Sequence, residues 1–243
     1  MIETKDLVKR FGSKTAVNHL NLRIETGEFF CFLGPNGAGK TTTIKLLTGL
    51  LKPTSGQAVI GGHDIQQDPV AAKQLLGYIP DTPFLYEKLT GREFMRFVAG
   101  LYQVPEDVAS TRGEELLELF EIRHVGDQLI EDYSHGMRQK LSFASCFLHD
   151  PKIVVVDEPW VGLDPKNIRF VKNFLREKTR DGVTIFMSTH SLSVIEEAAD
   201  RIAIIHHGNL LHTGSLSEIK ALSRNPGSLE DVFLELTNAE AAP

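Results

Sequence analysis

The sequence predicts an α/β protein in which short buried strands build a parallel sheet and a block of helices interrupts it. Three observations carry that reading. The runs at residues 29–33, 153–156 and 183–187 are short and largely apolar, as in strands covered on both faces. Helical periodicity alternates with them. Between residues 86 and 149 the strand signal gives way to helical spacing.

In chain order, Leu20, Leu22 and Ile24 lie at period two, as in a half-buried strand. The run at 29–33 stops at Gly34-Pro35-Asn36-Gly37, which cannot continue a strand. A helix opens at Thr41 with Ile44, Leu47 and Leu51 on one face and ends near Lys52-Pro53. In the helical block, Leu116, Leu117 and Phe120 lie among Glu114, Glu115, Glu118 and Glu121, the solvated face of an amphipathic helix. Met137, Leu141, Ala144 and Leu148 line one face of another helix, closed by Asp150-Pro151. The core resumes with strands at 153–156 and 183–187 and helices at 166–178 and 192–199. Two further runs, 201–205 and 209–212, flank the turn His207-Gly208. His206 and His207, adjacent on a strand, are expected on opposite faces, which disfavours a metal pair. Residues 238–243 are expected to fray.

With 243 residues, 42% hydrophobic and 24% charged, the chain can bury a substantial core in one domain with an inserted lobe. A formal net charge of -6 argues against a surface built for nucleic acid, and no nucleic-acid partner is expected. Cys31 and Cys146 sit among apolar neighbours, as core thiols of a reducing compartment do. No apolar run approaches the roughly 18 to 20 residues that cross a bilayer. The N-terminus shows no basic flank followed by an apolar stretch, so an intracellular protein is expected, reaching any membrane through a partner.

Gly34-Pro35-Asn36-Gly37-Ala38-Gly39-Lys40-Thr41, continued by Thr42, fits the phosphate-binding pattern G-x-x-x-x-G-K-[ST] between a strand and a helix. Glycines let backbone N–H groups turn toward phosphate oxygens, and the following helix presents its positive end to the same anion. In this pattern Lys40 reaches the β- and γ-phosphates and the Thr41 hydroxyl ligates Mg²⁺. Open α/β sheets bind ligands at the ends of their strands, where 154–156 lead into Asp157-Glu158. Asp157 is the candidate holder of the Mg²⁺, and Glu158 the candidate base for the attacking water.

Four further motifs follow in order, and with the first two the chain resembles the ABC transporter ATPase family over nearly its whole length. Tyr133-Ser134-His135-Gly136-Met137 resembles the family signature, and Gly162-Leu163-Asp164 resembles its D-loop. His190 sits where the family has its switch histidine, and Phe11 where an aromatic ring stacks on adenine. The resemblance implies a P-loop NTPase core with a RecA-like parallel sheet, an N-terminal antiparallel β subdomain and an inserted helical subdomain. The expected divisions are 1–85 and 150–215 for the ATP-binding core, 86–149 for the insertion and 216–243 for a helical tail. It also implies ATP and Mg²⁺ as cofactors, with His190 joining Glu158 in catalysis. The helix after Ser134 has an anion-binding N-terminus, while the P-loop already surrounds one side of its own nucleotide. The signature (Ser134, His135, Gly136 and Met137) is therefore expected to serve a γ-phosphate held by a second copy or a homologous subunit, in a head-to-tail dimer. Asp164 would track the opposite site.

The family's Q-loop glutamine is matched here by Asp81, a third candidate for the metal, acting through water. His135 and Met137 stand where the common signature has glycine and glutamine, and His135 is either a pH-sensitive donor or a tolerated surface substitution. Pro83-Phe84-Leu85-Tyr86 follows Asp81 directly, so a separate integral-membrane subunit is expected to contact the region from Asp81 to Leu89. Tyr86 to Gly91 and Ser228 to Leu234 resemble the exporter branch handling drugs, polysaccharides or peptides. These features imply an ATP-hydrolysing motor of an exporter, cytoplasmic and peripheral on the inner face of the membrane. The rival reading is a soluble relative acting on ribosomes or DNA ends, which would carry a second cassette or a long coiled coil. An unrelated kinase or GTPase is a weaker rival, since no Asn-Lys-x-Asp motif occurs.

Overall fold

The computed structural model describes residues 1–160, 163–190, 192–222 and 229–239. The first half of the chain runs β1 (Ile2–Phe11), β2 (Lys14–Ile24), β3 (Phe29–Leu33), α1 (Lys40–Leu47), β4 (Ser55–Ile60), β5 (His63–Asp64), α2 (Pro69–Gln74) and β6 (Leu76–Ile79). Three helices follow, α3 (Gly91–Leu101), α4 (Glu106–Leu119) and α5 (His135–Cys146). The remainder is β7 (Ile153–Asp157), α6 (Pro165–Arg180), β8 (Thr184–Thr189), α7 (Leu192–Ala198), β9 (Arg201–His206), β10 (Asn209–Gly214), α8 (Leu216–Lys220) and α9 (Leu229–Ala239).

The described strands form two sheets. One is antiparallel in the order β2-β1-β4-β5, and the other runs β10-β9-β3-β8-β7-β6. In the larger sheet β9, β3, β8, β7 and β6 are parallel, and β10 folds back on β9 as a hairpin. Strand alternation explains the continuous apolar runs. Phe29, Cys31 and Leu33 of β3 face the cluster shared with α3 to α7, while Phe30 and Phe32 face α1 and the antiparallel sheet. Val154 and Val156 of β7 divide from Ile153 and Val155 in the same way. Both faces are covered, so neither phase of the strand can be polar; each buried Phe contributes about 2 to 3 kcal/mol of transfer free energy. Cys31 and Cys146 are buried free thiols, and burial raises the pKa of each.

Several elements depart from expectation. Helix α1 ends at Leu47 rather than near Leu51, because Gly49 turns left-handed (φ +68°) and Leu51 N–H closes back on Lys45 O at 2.9 Å. The glutamates around α4 lie on its solvated side as expected, with Glu115, Glu118 and Glu121 exposed and Glu114 half-buried, and some of them are also paired. Glu114 accepts from Arg92 at 2.5 Å and from Arg123 at 3.0 Å, and Glu121 accepts from Lys140 and Lys166, each at 3.3 Å. These bonds tie α4 and its exit to the neighbouring elements. His206 and His207 do not lie on opposite faces: His207 has left the strand at φ +46°, and the two rings are 4.0 Å apart. At the C-terminus α9 continues through Ala239, past the start of the expected fraying, and residues 240–243 lie outside the described residues.

Candidate active site

The parallel strands β3, β6, β7 and β8 end along one edge of the larger sheet, and each delivers a different piece of the site there. After β3 the backbone makes approaches that only glycine permits. A Cβ on Gly34 would lie 2.5 Å from Ile205 O, and one on Gly39 would lie 2.4 Å from Ala16 O. Gly39 also sits at φ +111°, outside the range of L side chains. It caps α1, whose first turn holds no acid, so the positive end of the helix is left uncompensated. Lys40 is buried and donates to Gly34 O at 2.7 Å and Pro35 O at 3.3 Å, with its Nζ 3.7 Å from Glu158 Oε1.

Asp157 closes β7 almost wholly out of solvent. Its Oδ1 accepts from Ser188 Oγ at 2.5 Å, while Oδ2 is buried without a hydrogen-bond partner. Burial raises its pKa most, with Asp81 and Glu158 adding charge repulsion, while bonds from Ser188 and Thr41 act the other way. An orphaned buried carboxylate oxygen beside a threonine hydroxyl is a set of hard oxygen donors, and it fits Mg²⁺. Glu158 adopts φ +43° and donates its N–H to Ser188 O at 3.1 Å. Its Oε2 lies 2.9 Å from His190 Nδ1, so the carboxylate stands between Lys40 and the imidazole.

A cleft of about 400 Å³ joins these groups. Its wall includes Phe11, Pro35, Asn36, Gly37, Gly39, Lys40, Thr41, Thr42, Asp81 and Glu158. Ala38 is buried behind it. Phe11 is half exposed, with the Lys9 ammonium 5.1 Å from its ring centroid; that ammonium is pinned by Lys52 O at 2.7 Å. Asp81 is exposed on the cleft wall and accepts from the Thr82 N–H at 2.8 Å. Lys14 and Ala16 also line the cleft and were not foreseen. Lys14 faces Phe11 across the β1–β2 hairpin, a pairing that the turn after Phe11 could have signalled. Ser188 was likewise missed as the partner of Asp157, and only the parallel register of β7 on β8 reveals it.

The signature lies elsewhere. Ser134 caps α5, its Oγ accepting from Met137 N at 3.2 Å, and both Ser134 and His135 are exposed while Gly136 and Met137 are half-buried. None of the four belongs to the cleft wall. Arg138 anchors this turn to Glu87 at 2.7 Å and to Glu131 O at 2.9 Å. Asp164 caps α6, and the bond it accepts from Asn167 N at 2.9 Å keeps its carboxyl below the usual range. Gly162 lies outside the described residues. A second hollow of about 480 Å³ opens beside β6, walled by Tyr78, Pro80, Phe84, Leu85, Phe94 and Tyr102 among others. Among the described residues no helix is long and apolar enough to cross a membrane.

Residues 17–161 match the model of the family described as ABC transporter. The chain is similar to the bacitracin transport ATP-binding protein BcrA of Bacillus licheniformis, 38% identical over 92% of this chain and 72% of that protein. It is also similar to the "Probable multidrug ABC transporter ATP-binding protein YbhF" of Escherichia coli, 35% identical over 97% of this chain but only 41% of that protein's length. The solved structure of an ATP binding subunit of an ABC transporter superposes with a TM-score of 0.92 at 32% identity, covering 97% of this chain and 99% of that one. The chain belongs to the ABC transporter family, as an ATP-binding and ATP-hydrolysing cassette.

Proposed function

We propose that this cassette is the motor subunit of an exporter, working as a head-to-tail pair that sandwiches two nucleotides and drives a separate integral-membrane subunit. One observation carries the reading: the cleft gathers Phe11, the glycine loop, Asp81 and Glu158, while Ser134 is exposed outside it, available to a facing copy's nucleotide. The bacitracin and multidrug transport names of the relatives support export, although the chain spans only part of their lengths.

In this reading Phe11 stacks on adenine with the ring face that Lys9 leaves open. Backbone N–H groups of the loop from Gly37 to Thr42 and the Lys40 ammonium bind the β- and γ-phosphates. Thr41 and Asp157 would hold the Mg²⁺, with Asp81 reaching it through water. When bound, the ion neutralises charge on the transferred phosphoryl group and its leaving oxygen. Glu158 orients the attacking water and accepts its proton on a carboxylate oxygen as the water oxygen bonds to phosphorus and the bond to the ADP oxygen breaks. His190 steers Glu158 and faces the γ-phosphate. Ser134, His135, Gly136 and Met137 complete the same phosphate site from the facing copy, and Asp164, with Gly162, would contact the opposite site. Hydrolysis removes the bridging charge and releases the pair. The division of the chain at residues 85, 149 and 215 follows this assignment.

The hollow beside β6, next to the Asp81 to Leu89 segment, is the surface we assign to the membrane subunit. Phe84 is 88% exposed there, and nearby Tyr86 is 59% exposed with its ring edge-on to Phe97 at 5.0 Å, so two aromatic side chains present much of their surface to solvent. Docking through it would place the cassette on the cytoplasmic face of the membrane.

Glu158→Gln tests the reading. With Mg²⁺ and ATP the variant should elute from a sizing column as a dimer and fail to turn over, while wild type passes through that state only transiently. Wild-type hydrolysis by the variant would exclude Glu158 as the base. Purification from native membranes with a ribosomal or DNA partner, and no multi-span protein, would favour the soluble rival.

A further inference from the structure

Glu158 occupies the left-handed backbone region, φ +43°, which a residue with a Cβ adopts at a cost, and Pro159 narrows its freedom further. Such a conformation persists where neighbours hold it. The His190 N–H donates to Glu158 Oε2 at 3.4 Å, and three further hydrogen bonds tie the turn to other elements. The Glu158 N–H donates to Ser188 O at 3.1 Å. Gln139, on α5 and shut off from solvent, donates its Nε2 to Pro159 O at 3.4 Å. The indole N–H of Trp160, the sole tryptophan of the chain, donates to Thr189 Oγ1 at 3.2 Å.

The last of these has the most leverage on the site. Trp160 lies two residues beyond Glu158, and Thr189 immediately precedes His190. Thr189 is fully buried in β8, so it is a fixed post, and the indole packs against the core beneath the sheet. The bond therefore joins the exits of β7 and β8 just where Glu158 and His190 meet at 2.9 Å. A phenylalanine would fill much of the same space but could not make the tie.

We propose that Trp160 is a positioning residue for hydrolysis, its indole N–H anchored on Thr189 so that the turn holding Glu158 keeps the carboxylate aimed between Lys40 and His190. The tether acts on orientation and not on nucleotide contact, since neither Trp160 nor Thr189 is part of the cleft wall. It rests on the assignment of Glu158 as the base.

The test is a double-mutant cycle on the purified full chain, with steady-state hydrolysis of ATP and Mg²⁺ as the readout. Trp160→Phe and Thr189→Val should each lower kcat about threefold to tenfold, the range that one lost hydrogen bond represents. KM for ATP should stay within about twofold, since ground-state binding is untouched. The double variant should lose no more than the worse single one, because both remove the same bond. Thr189→Ser keeps the acceptor and should stay near wild type. Multiplicative losses, a raised KM with kcat preserved, or equal loss in Thr189→Ser and Thr189→Val would overturn the proposal. An inactive Glu158→Gln beside an unimpaired Trp160→Phe sinks only the tether. An active Glu158→Gln sinks the assignment of the base and the tether with it.

Discussion

Replacing Gly39 by alanine should destabilise the cassette and weaken nucleotide binding together, because one added carbon meets two separate obstacles. At φ +111° the backbone is in a region that L side chains rarely adopt, which costs about 1 to 3 kcal/mol. The new Cβ would also sit 2.4 Å from Ala16 O, a backbone atom in β2 that cannot rotate away. Relieving that contact by shifting the loop costs about 1 to 3 kcal/mol more. The sum is about 2 to 6 kcal/mol, a large part of an ordinary domain's stability. Gly37 supplies the control: its φ is +81°, but an added Cβ would meet nothing within 4 Å. Gly37→Ala should therefore cost only a backbone part, about 1 to 2 kcal/mol. Equilibrium urea unfolding of the three proteins, compared at a common slope, isolates the steric part as the difference between the two variants. A Gly39→Ala protein within about 0.5 kcal/mol of wild type, or no worse than Gly37→Ala, would refute the reasoning.

Three further outcomes are expected. Ser134→Arg should cut hydrolysis by about tenfold or more while leaving the ATP affinity of the isolated monomer unchanged, measured by equilibrium titration; lost monomer affinity would mean that the signature acts on its own subunit's nucleotide. Asp81→Gln should alter either the Mg²⁺ dependence of hydrolysis or its stimulation by the membrane subunit, and an unaltered pair of measurements would remove Asp81 from the metal site. His149 stacks on Tyr102 at 3.6 Å with its Nδ1 buried and unpartnered, and burial pushes its pKa down to about 4 from the ordinary 6.5. The unfolded chain then takes up a proton that the native one refuses, so this contribution to stability is full above pH 6.5 and is lost as pH falls toward 4. In urea unfolding from pH 7 to pH 4, His149→Phe should show a flatter loss than wild type; parallel curves would show that His149 does not titrate in this way.

Much of the fold was legible because its signals are local. The runs within β3, β7 and β8 are predominantly apolar in both phases, as strands covered on both sides require. The glycine loop could be read because phosphate binding dictates residue types at fixed spacing along one segment. The end of α1 was missed because Leu51 keeps helical spacing after Gly49 has already turned the backbone. The pairing of His206 with His207 was missed for a similar reason, a left-handed residue where a continuing strand was assumed.

What lay beyond the sequence were contacts made across strands. Lys14 reaches the cleft through the hairpin register with Phe11, and Ser188 meets Asp157 through the β7–β8 register. Gln139 touches Pro159 from a helix far away in the chain. None of these three residues is marked by spacing or by unusual chemistry of its own. Each acquires its neighbour only when non-local packing is complete, and pattern reading along a single chain has no access to that.

In the proposed pair, each nucleotide is gripped on one flank by its own glycine loop and on the other by the tip of α5 from a facing copy. This arrangement is tested most directly by a structure of the Glu158→Gln protein saturated with ATP and Mg²⁺, reading the distance from Ser134 Oγ to the terminal phosphoryl oxygens. Ser134 Oγ should stand at hydrogen-bonding distance, roughly 2.5 to 3.2 Å, across the dimer interface. Ser134 remote from every terminal phosphoryl group, with both copies loaded, would contradict this arrangement.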